Sequence, residues 1–245
     1  MSADKWVTAV EGRMRQFAIS HALVLSQTKR QVSAAFEIGC FHALTEFYEI
    51  EFDVTPESLG DDGEYRYLTT PSGNPHNYSY LSLRGPDGHY ELRQQVRIQS
   101  HAHPEIAVTP DLVVLSAGAE IQTTRRPEFA SGKRGFYTVG SADVVAAHEC
   151  KSMSPFPELL VNFIGILVAC HAWFEDGAPA YVLDPEGPHA APSLFIGGDA
   201  SALHLKMIAG LEETYPLNVV VGLHSGKWSL LGEGRQLNRL SRAVS

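Results

Sequence analysis

Two acidic residues and a lysine stand at positions of the sequence where they could share a metal ion and a water molecule. Asp111 lies inside an apolar run, residues 106–115, and Glu149 and Lys151 follow a second apolar run, residues 144–148. Apolar, β-branched runs of this length are typical of buried strands, so all three side chains are expected at strand ends. Two carboxylates and a lysine in such places can hold a divalent cation and activate water beside a phosphate, which is the chemistry of phosphodiester cleavage.

Mg²⁺ suits these ligands because it takes an octahedral shell of oxygens and is held by one or two carboxylates together with water and phosphate oxygens. Side chains alternate across a strand, which predicts Glu149 and Lys151 on one face and Cys150 on the other. Lys151 is therefore expected beside the metal-bound water. Its ammonium would lower the pKa of that water or stabilise negative charge on the phosphoryl oxygens.

These residues resemble the motif of the PD-(D/E)XK nuclease superfamily, in which Pro110-Asp111 matches the first half and Glu149-Cys150-Lys151 the second. The resemblance covers residues 30–223 and implies a restriction-endonuclease-like fold. It also implies that Asp111 and Glu149 bind one or two Mg²⁺ ions, for which Mn²⁺ can substitute. By the same resemblance Lys151 assists the attacking water, and the main-chain carbonyl of Cys150 completes the metal shell.

The resembled family often carries a further glutamate on the helix that precedes the sheet. Glu37 is the position we choose for a second metal-ligand and catalytic role, and Glu46 and Glu49 compete with it within the same predicted helix. The two halves of the motif are farther apart than a simple hairpin needs, so an elaborated loop is expected between them.

A purely structural interpretation of the motif stays open. Glu-x-Lys tripeptides and Pro-Asp dipeptides are common, so neither half is specific alone. In this interpretation Glu149 and Lys151 form an exposed pair on a strand, and Asp111 ends a turn after Pro110. A second functional hypothesis is a non-catalytic binding or assembly module that retains the nuclease fold.

The charge of the chain limits how it could meet nucleic acid, the substrate class that the resemblance implies, with DNA the more frequent substrate. A net charge of −9 argues against a broad basic surface that coats phosphates. A loop between the motif halves concentrates basic residues, which either approach a phosphate backbone or form a solvated surface loop; an oligomer or partner protein could also supply the groove. The four basic residues are Arg125, Arg126, Lys133 and Arg134.

Length and composition favour one α/β domain over residues 1–245, because 245 residues with 44% hydrophobic content can bury one sizeable core. No uncharged run of about 18 apolar residues is present, so no membrane span is predicted. The first residues lack a basic start followed by an apolar core, so no secretory signal is predicted and a cytoplasmic location is expected. Three widely spaced cysteines, Cys40, Cys150 and Cys170, are expected to be reduced and mostly buried thiols.

The hydrophobic pattern predicts a mixed central β-sheet flanked by helices. Residues 53–77 are rich in turn-forming residues and are expected to be irregular. The predicted helices cover residues 6–25, 27–48, 158–174 and 200–215, and the predicted strands cover residues 78–83, 90–99, 106–115, 142–151, 193–196 and 218–223.

Two further polar groups have open interpretations. Along the strand predicted at residues 90–99, the polar face of Arg93, Gln95, Arg97 and Gln99 either lines a cleft or is an ordinary solvated face. His101 and His103 would place two imidazoles on one face of an extended segment, but no third metal ligand is marked by spacing and a turn before the following proline is the favoured interpretation.

Overall fold

A mixed β-sheet of seven strands forms the centre of the molecule. The structure, a computed structural model, describes residue 8 and residues 11–15, 32–125, 135–175, 180–225, 230 and 237–243. The helices are α1 (Val32–Tyr48), α2 (Pro157–Cys170), α3 (Ala172–Glu175) and α4 (Ala202–Thr214), and residues 8 and 11–15 are also helical. The strands are β1 (Asp53–Glu57), β2 (Tyr80–Gly85), β3 (Gly88–Gln94), β4 (Arg97–Gln99), β5 (Ala107–Val108), β6 (Leu112–Ser116), β7 (Gln122–Arg125), β8 (Gly135–Gly140), β9 (Val144–Lys151), β10 (Tyr181–Leu183), β11 (His189–Ala190), β12 (Ser193–Ile196), β13 (Asn218–Val220) and β14 (Arg239–Arg242).

The strand order of the central sheet is β1-β2-β3-β6-β9-β12-β13. Neighbours from β1 to β9 pair antiparallel, whereas β9, β12 and β13 run parallel. Parallel neighbours need crossover connections, and α2 and α4 lie in the chain between these strands. The prediction of a mixed α/β fold with a large mixed sheet flanked by helices is therefore confirmed.

The sheet is buried on both faces at β6, whose first four residues, 112–115, are apolar and buried. Leu112 and Val114 pack into a cluster with the aromatic and aliphatic residues of α1, while Val113 and Leu115 pack on the opposite face in a cluster that includes Cys170 of α2. This alternation is the period of two that a strand imposes. By the same alternation Asp111, which directly precedes β6, belongs to the α2 side of the sheet.

Pairing between β6 and β9 brings the two halves of the motif together. The antiparallel register places Leu112 opposite His148. The preceding residue, Asp111, therefore comes next to Glu149, which follows His148, although 38 positions separate them. One end of the central sheet thus collects the acidic residues.

Two smaller sheets accompany the central one. The first has the strand order β5-β4-β8-β7, and its inner face, with Ile98 and Val139, packs into the cluster on the α2 side of the central sheet. The second has the order β10-β14-β11. Among the described residues, no helix combines the length and the apolar character needed to cross a membrane.

The structure corrects the expectation that residues 53–77 are irregular. Residues 53–57 form β1, which pairs antiparallel with β2. The sequence concealed this strand because Pro56 lies inside it, and proline interrupts a ladder of main-chain hydrogen bonds. Proline is tolerated here because β1 is the edge strand of the sheet.

Three further predicted boundaries are wrong. The strand predicted at residues 90–99 breaks at Gln95, where φ is 52°, and its second part becomes β4 in a different sheet. The strand predicted at residues 106–115 divides into β5 and β6 around Pro110. The predicted helix 158–174 is interrupted at His171.

The connection between the motif halves is not only loop, because it contains the strands β7 and β8. Most of the predicted helix 6–25 lies outside the described residues.

A buried polar contact joins the β2–β3 turn to β11. The Nε2 atom of His189 lies 3.1 Å from Oδ2 of Asp87, and the hydroxyl of Tyr90 donates to the same oxygen at 3.0 Å. The His189 side chain is completely buried. Burial alone would raise the pKa of Asp87, but the contacts with His189 and Tyr90 outweigh it and lower the pKa below its ordinary value. The rings around His189 are those of Tyr48, Phe52, Tyr90 and Tyr181.

The substitution Asp87→Asn is expected to destabilise the fold, because it removes the charged partner of a buried histidine. Loss of such a hydrogen-bonded partner costs about 1–3 kcal/mol in the free energy of unfolding. Urea unfolding at pH 7 measures this difference, with the exposed Asp61→Asn as the matched control. A change in Asp87→Asn no larger than that of the control would show that the contact does not stabilise the fold.

Candidate functional site

Asp111, Glu149 and Lys151 form one cluster at the end of the central sheet. The Lys151 ammonium Nζ donates to Glu149 Oε2 at 2.5 Å and to Asp111 Oδ2 at 3.3 Å. The side chains of Asp111 and Glu149 are 11% and 8% exposed, whereas that of Lys151 is 34% exposed. The cluster therefore opens to solvent on the side of the lysine.

Main-chain and side-chain donors fix the carboxylate of Asp111. The backbone N–H of Cys150 donates to Oδ2 at 2.7 Å, and the amide Nε2 of Gln95 donates to Oδ1 at 2.9 Å. Asp111 is thus held by the strand that carries Glu149 and Lys151. An interpretation of Asp111 as a simple turn residue does not account for these contacts.

The thiol of Cys150 points away from the acidic cluster, as strand alternation predicts. It contacts the thiol of Cys40 on α1, and both residues belong to the cluster between α1 and the sheet. All three cysteines are buried and without a disulfide bond in the structure, which confirms the expected burial. A role of Cys150 at a metal can therefore involve only its main chain, and its carbonyl as a ligand stays a prediction.

Helix α1 brings Glu37 to the cluster. Phe36, Cys40 and Leu44 form part of the buried face of α1, and Glu37 lies one position around the helix from Phe36, at the margin of that face. Its Oε2 accepts from Gln95 Nε2 at 3.2 Å. The two glutamates that compete with Glu37 in the predicted helix lie elsewhere. Glu46 pairs with Arg13 at 3.1 Å, and Glu49 is exposed just after the end of α1.

Gln95 is the residue that the motif did not identify. Its amide donates to both Glu37 and Asp111, and its backbone N–H donates to the carbonyl of Asp111 at 3.0 Å. It adopts φ of 52°, which for a residue other than glycine costs of the order of 1–3 kcal/mol. The only sequence signal for Gln95 was its place on the polar face of the strand predicted at residues 90–99.

Burial and the neighbouring charge of Asp111 raise the pKa of the two glutamates. Burial and the charge of Asp111 raise the pKa of Glu37 to about 8, although Gln95 and Lys151 act in the opposite direction. Burial and the charge of Asp111 also raise the pKa of Glu149 above its ordinary value, despite the short contact with Lys151. Burial lowers the pKa of Lys151, but the two carboxylates outweigh it and leave the pKa above its ordinary value. One ammonium does not neutralise three carboxyl groups.

The residues of the cluster suit a hard divalent cation. Carboxylate oxygens are the ligands that Mg²⁺ prefers, and a bound cation would favour the charged form of Glu37 and Glu149, whose pKa is raised by burial and by the charge of Asp111. Within the described residues, no group of three or more His, Cys, Asp or Glu side chains is arranged to hold a metal by itself. Mg²⁺ needs fewer, because water and substrate oxygens complete its shell. His101 and His103 are exposed and lie in a bend before Pro104.

The predicted basic contacts to nucleic acid fall at the margin of what the structure describes. Arg125 is the last residue of β7. Its side chain, and the whole of Arg126, Lys133 and Arg134, lie outside the described residues. Their approach to a phosphate backbone stays a prediction.

The crowding of acids predicts how stability depends on pH. Folding raises the pKa of Glu37 from 4.5 to about 8. Between these pH values the folded chain keeps a proton that the unfolded chain has lost. The free energy of unfolding therefore declines as the pH rises from about 4.5 to about 8. The variant Glu37→Gln should lose this decline and melt above the wild type at pH 8.5 in EDTA, by about 2–4 °C for each kcal/mol. Melting temperatures of both proteins from pH 5 to 8.5 measure the difference, and the exposed Glu120→Gln is the control. Parallel pH profiles of wild type and Glu37→Gln would contradict the proposed crowding.

Comparison of the chain with known proteins identifies no relative. No family model, no curated protein and no solved structure matches the chain. The function is therefore inferred from the residues of the cluster and from their contacts.

Proposed function

We propose that this protein is a Mg²⁺-dependent nuclease of the PD-(D/E)XK type, with a restriction-endonuclease-like core. The observation that carries the proposal is the convergence of Asp111, Glu149 and Lys151, in which one ammonium contacts both carboxylates at 3.3 and 2.5 Å. These are the three residue types of the motif, and they come from strands paired in the centre of the sheet. The proposed substrate is nucleic acid, with DNA favoured by the resemblance.

The arrangement of elements supports the same proposal. Helix α1 supplies Glu37, Asp111 directly precedes β6 in the antiparallel set β2-β3-β6, and β9 carries Glu149 and Lys151 at its end. The crossover helix α2 and the parallel strand β12 then follow β9. A helix, an antiparallel set of strands, a helix and a parallel strand are the order expected for a restriction-endonuclease-like core.

Four residues would hold the cation. Asp111 and Glu149 would supply carboxylate oxygens, Cys150 its main-chain carbonyl, and Glu37 a carboxylate oxygen at a second ligand position. A bound Mg²⁺ would polarise the phosphoryl oxygens and lower the pKa of a coordinated water.

Lys151 acts in this proposal through its positive charge. Because the neighbouring carboxylates keep its pKa above the ordinary value, the amine holds its proton at neutral pH. A protonated amine orients an attacking water and stabilises negative charge on a phosphoryl oxygen, but it does not take up a proton. Lys151 is also the most exposed member of the cluster, so it can contact a phosphodiester that enters from solvent.

Gln95 positions the carboxylates. Its amide donates to Glu37 and Asp111 together, which holds the two carboxyl groups at a fixed separation. The buried Cys150 N–H fixes the remaining oxygen of Asp111. A homo-oligomer or a partner protein that completes the substrate groove is part of the proposal, since the chain carries a net charge of −9.

Metal binding can be measured separately from activity. Titration with Mn²⁺, followed by electron paramagnetic resonance of the free ion, is expected to show saturable binding to the wild type. Asp111→Asn and Glu149→Gln should each weaken this binding at least about tenfold, because each removes a charged oxygen ligand. Glu120→Gln serves as the control. Equal binding by Asp111→Asn, Glu149→Gln and the control would place the cation elsewhere.

Cleavage tests the role of the lysine. With Mg²⁺, purified protein is expected to cut plasmid or single-stranded DNA. Lys151→Ala and Asp111→Asn should each lower the rate by about 10²–10³-fold, the size of effect seen when a preorganised group that stabilises transition-state charge is removed. Unchanged melting temperatures would show that the variants fold, and Arg84→Ala, an exposed arginine of β2, is the matched control.

Two results would overturn the proposal. Cutting that persists at the wild-type rate in both variants would come from another site or a contaminant. A wild-type protein that neither binds Mn²⁺ nor cuts any nucleic acid would favour the non-catalytic binding or assembly module.

A further inference from the structure

A cleft in two parts lies beside the first small sheet. Its first part begins at Gln95, which contacts Asp111, and is walled by Pro71, Gly73 and Tyr137. Its second part has a volume of about 290 Å³ and shares Arg97 and Phe136 with the first. The first part is narrow, with a volume of about 10 Å³, and it adjoins the second part at the two shared residues. Gln95 links its wall to the proposed cleavage site through the hydrogen bond to Asp111.

The floor of the second part is the outer face of the sheet β5-β4-β8-β7. Arg97 on β4 pairs in register with Thr138 on β8, and Phe136 lies two positions before Thr138, so all three share one face. The residues that follow Arg97 and Thr138 along their strands, Ile98 and Val139, are buried on the inner face. This sheet thus presents polar groups and one half-buried aromatic ring outward.

Arg97 connects this face to the acidic cluster. Its Nε donates to the hydroxyl of Thr109 at 3.3 Å, and Thr109 lies two residues before Asp111. The guanidinium carbon of Arg97 lies 5.1 Å from the ring centre of Phe136. A guanidinium held beside an aromatic ring offers one group for a phosphate and one surface for a base.

We propose that this outer face binds an unpaired segment of nucleic acid whose backbone continues to the acidic cluster. Arg97 would contact a phosphate and Phe136 would stack on a base. An aromatic ring on a sheet can reach the flat face of a base only where the base is free of a duplex stack. The second part of the cleft is of the size of one nucleotide and contains the acidic Glu105 as well as Arg97, which suits a single strand better than the many phosphates of a duplex.

This inference deepens the proposed function. The path of the bound strand towards the acidic cluster rests on that function, whereas binding of the strand can be measured without cleavage. Fluorescence anisotropy in EDTA compares a labelled single-stranded oligonucleotide with the same sequence as a duplex. The wild type is expected to bind the single strand more tightly. Arg97→Ala and Phe136→Leu should each weaken that binding by about tenfold, the order expected for loss of a stacking or phosphate contact.

Controls separate contacts from folding. Phe136→Tyr keeps the ring and should bind as the wild type does, and the exposed Arg84→Ala should also leave binding unchanged. Tighter or equal binding of the duplex by the wild type would overturn the inference. So would single-strand binding by Arg97→Ala and Phe136→Leu that equals that of the two controls.

The two proposals fail in different ways. A protein that binds the single strand through Arg97 and Phe136 but cuts no nucleic acid would support the binding face and overturn the nuclease. A protein that cuts through Asp111 and Lys151, with single-strand binding in EDTA unaffected by Arg97→Ala and Phe136→Leu, would support the nuclease and overturn the binding face.

Discussion

Repulsion among three carboxyl groups that share one ammonium is the interaction on which the rest of the site depends. Asp111, Glu149 and Glu37 are brought together in a partly buried place, and Lys151 contacts the first two. Burial first, and the charge of Asp111 second, raise the pKa of Glu37 and of Glu149, although Lys151 acts in the opposite direction. Native folds rarely concentrate uncompensated charge of one sign without a partner or a function. A divalent cation is the simplest group that would complete the balance.

The fold holds this unfavourable cluster together through contacts made elsewhere. Pairing between β6 and β9 fixes Asp111 next to Glu149, and the apolar side chains on both faces of β6 stabilise that pairing. Gln95 contributes a second constraint, because its strained backbone directs one amide to two carboxylates. A strained residue that joins functional groups is typical of sites where geometry is kept at some cost in stability.

The sequence predicted those residues of the site whose positions follow from spacing along one strand. It did not predict Gln95, which lies where the chain passes from the central sheet into a smaller sheet. The period of two in β9 separates Glu149 and Lys151 from Cys150, and the structure places them accordingly. Among the three candidate glutamates of α1, the structure brings Glu37 to the cluster. Gln95 could not be identified from the sequence, because the alternation of side chains assumes an unbroken strand and the chain leaves the central sheet at this residue. The mixed sheet itself was predictable, but β1 was concealed by Pro56, and β7 and β8 lie in a connection without a strong apolar pattern.

The electrostatics of the cluster also constrain the order in which ligands would bind. A phosphodiester adds negative charge to a place where carboxylates already outnumber the ammonium, so without a cation the cluster repels it. The outer face with Arg97 and Phe136 avoids this repulsion, because an aromatic ring attracts a base without regard to charge and Arg97 contributes a positive group. A strand could thus be held on that face before a cation is bound. The cation would then admit the neighbouring phosphate to Lys151, so binding of the strand and binding of the metal would favour each other.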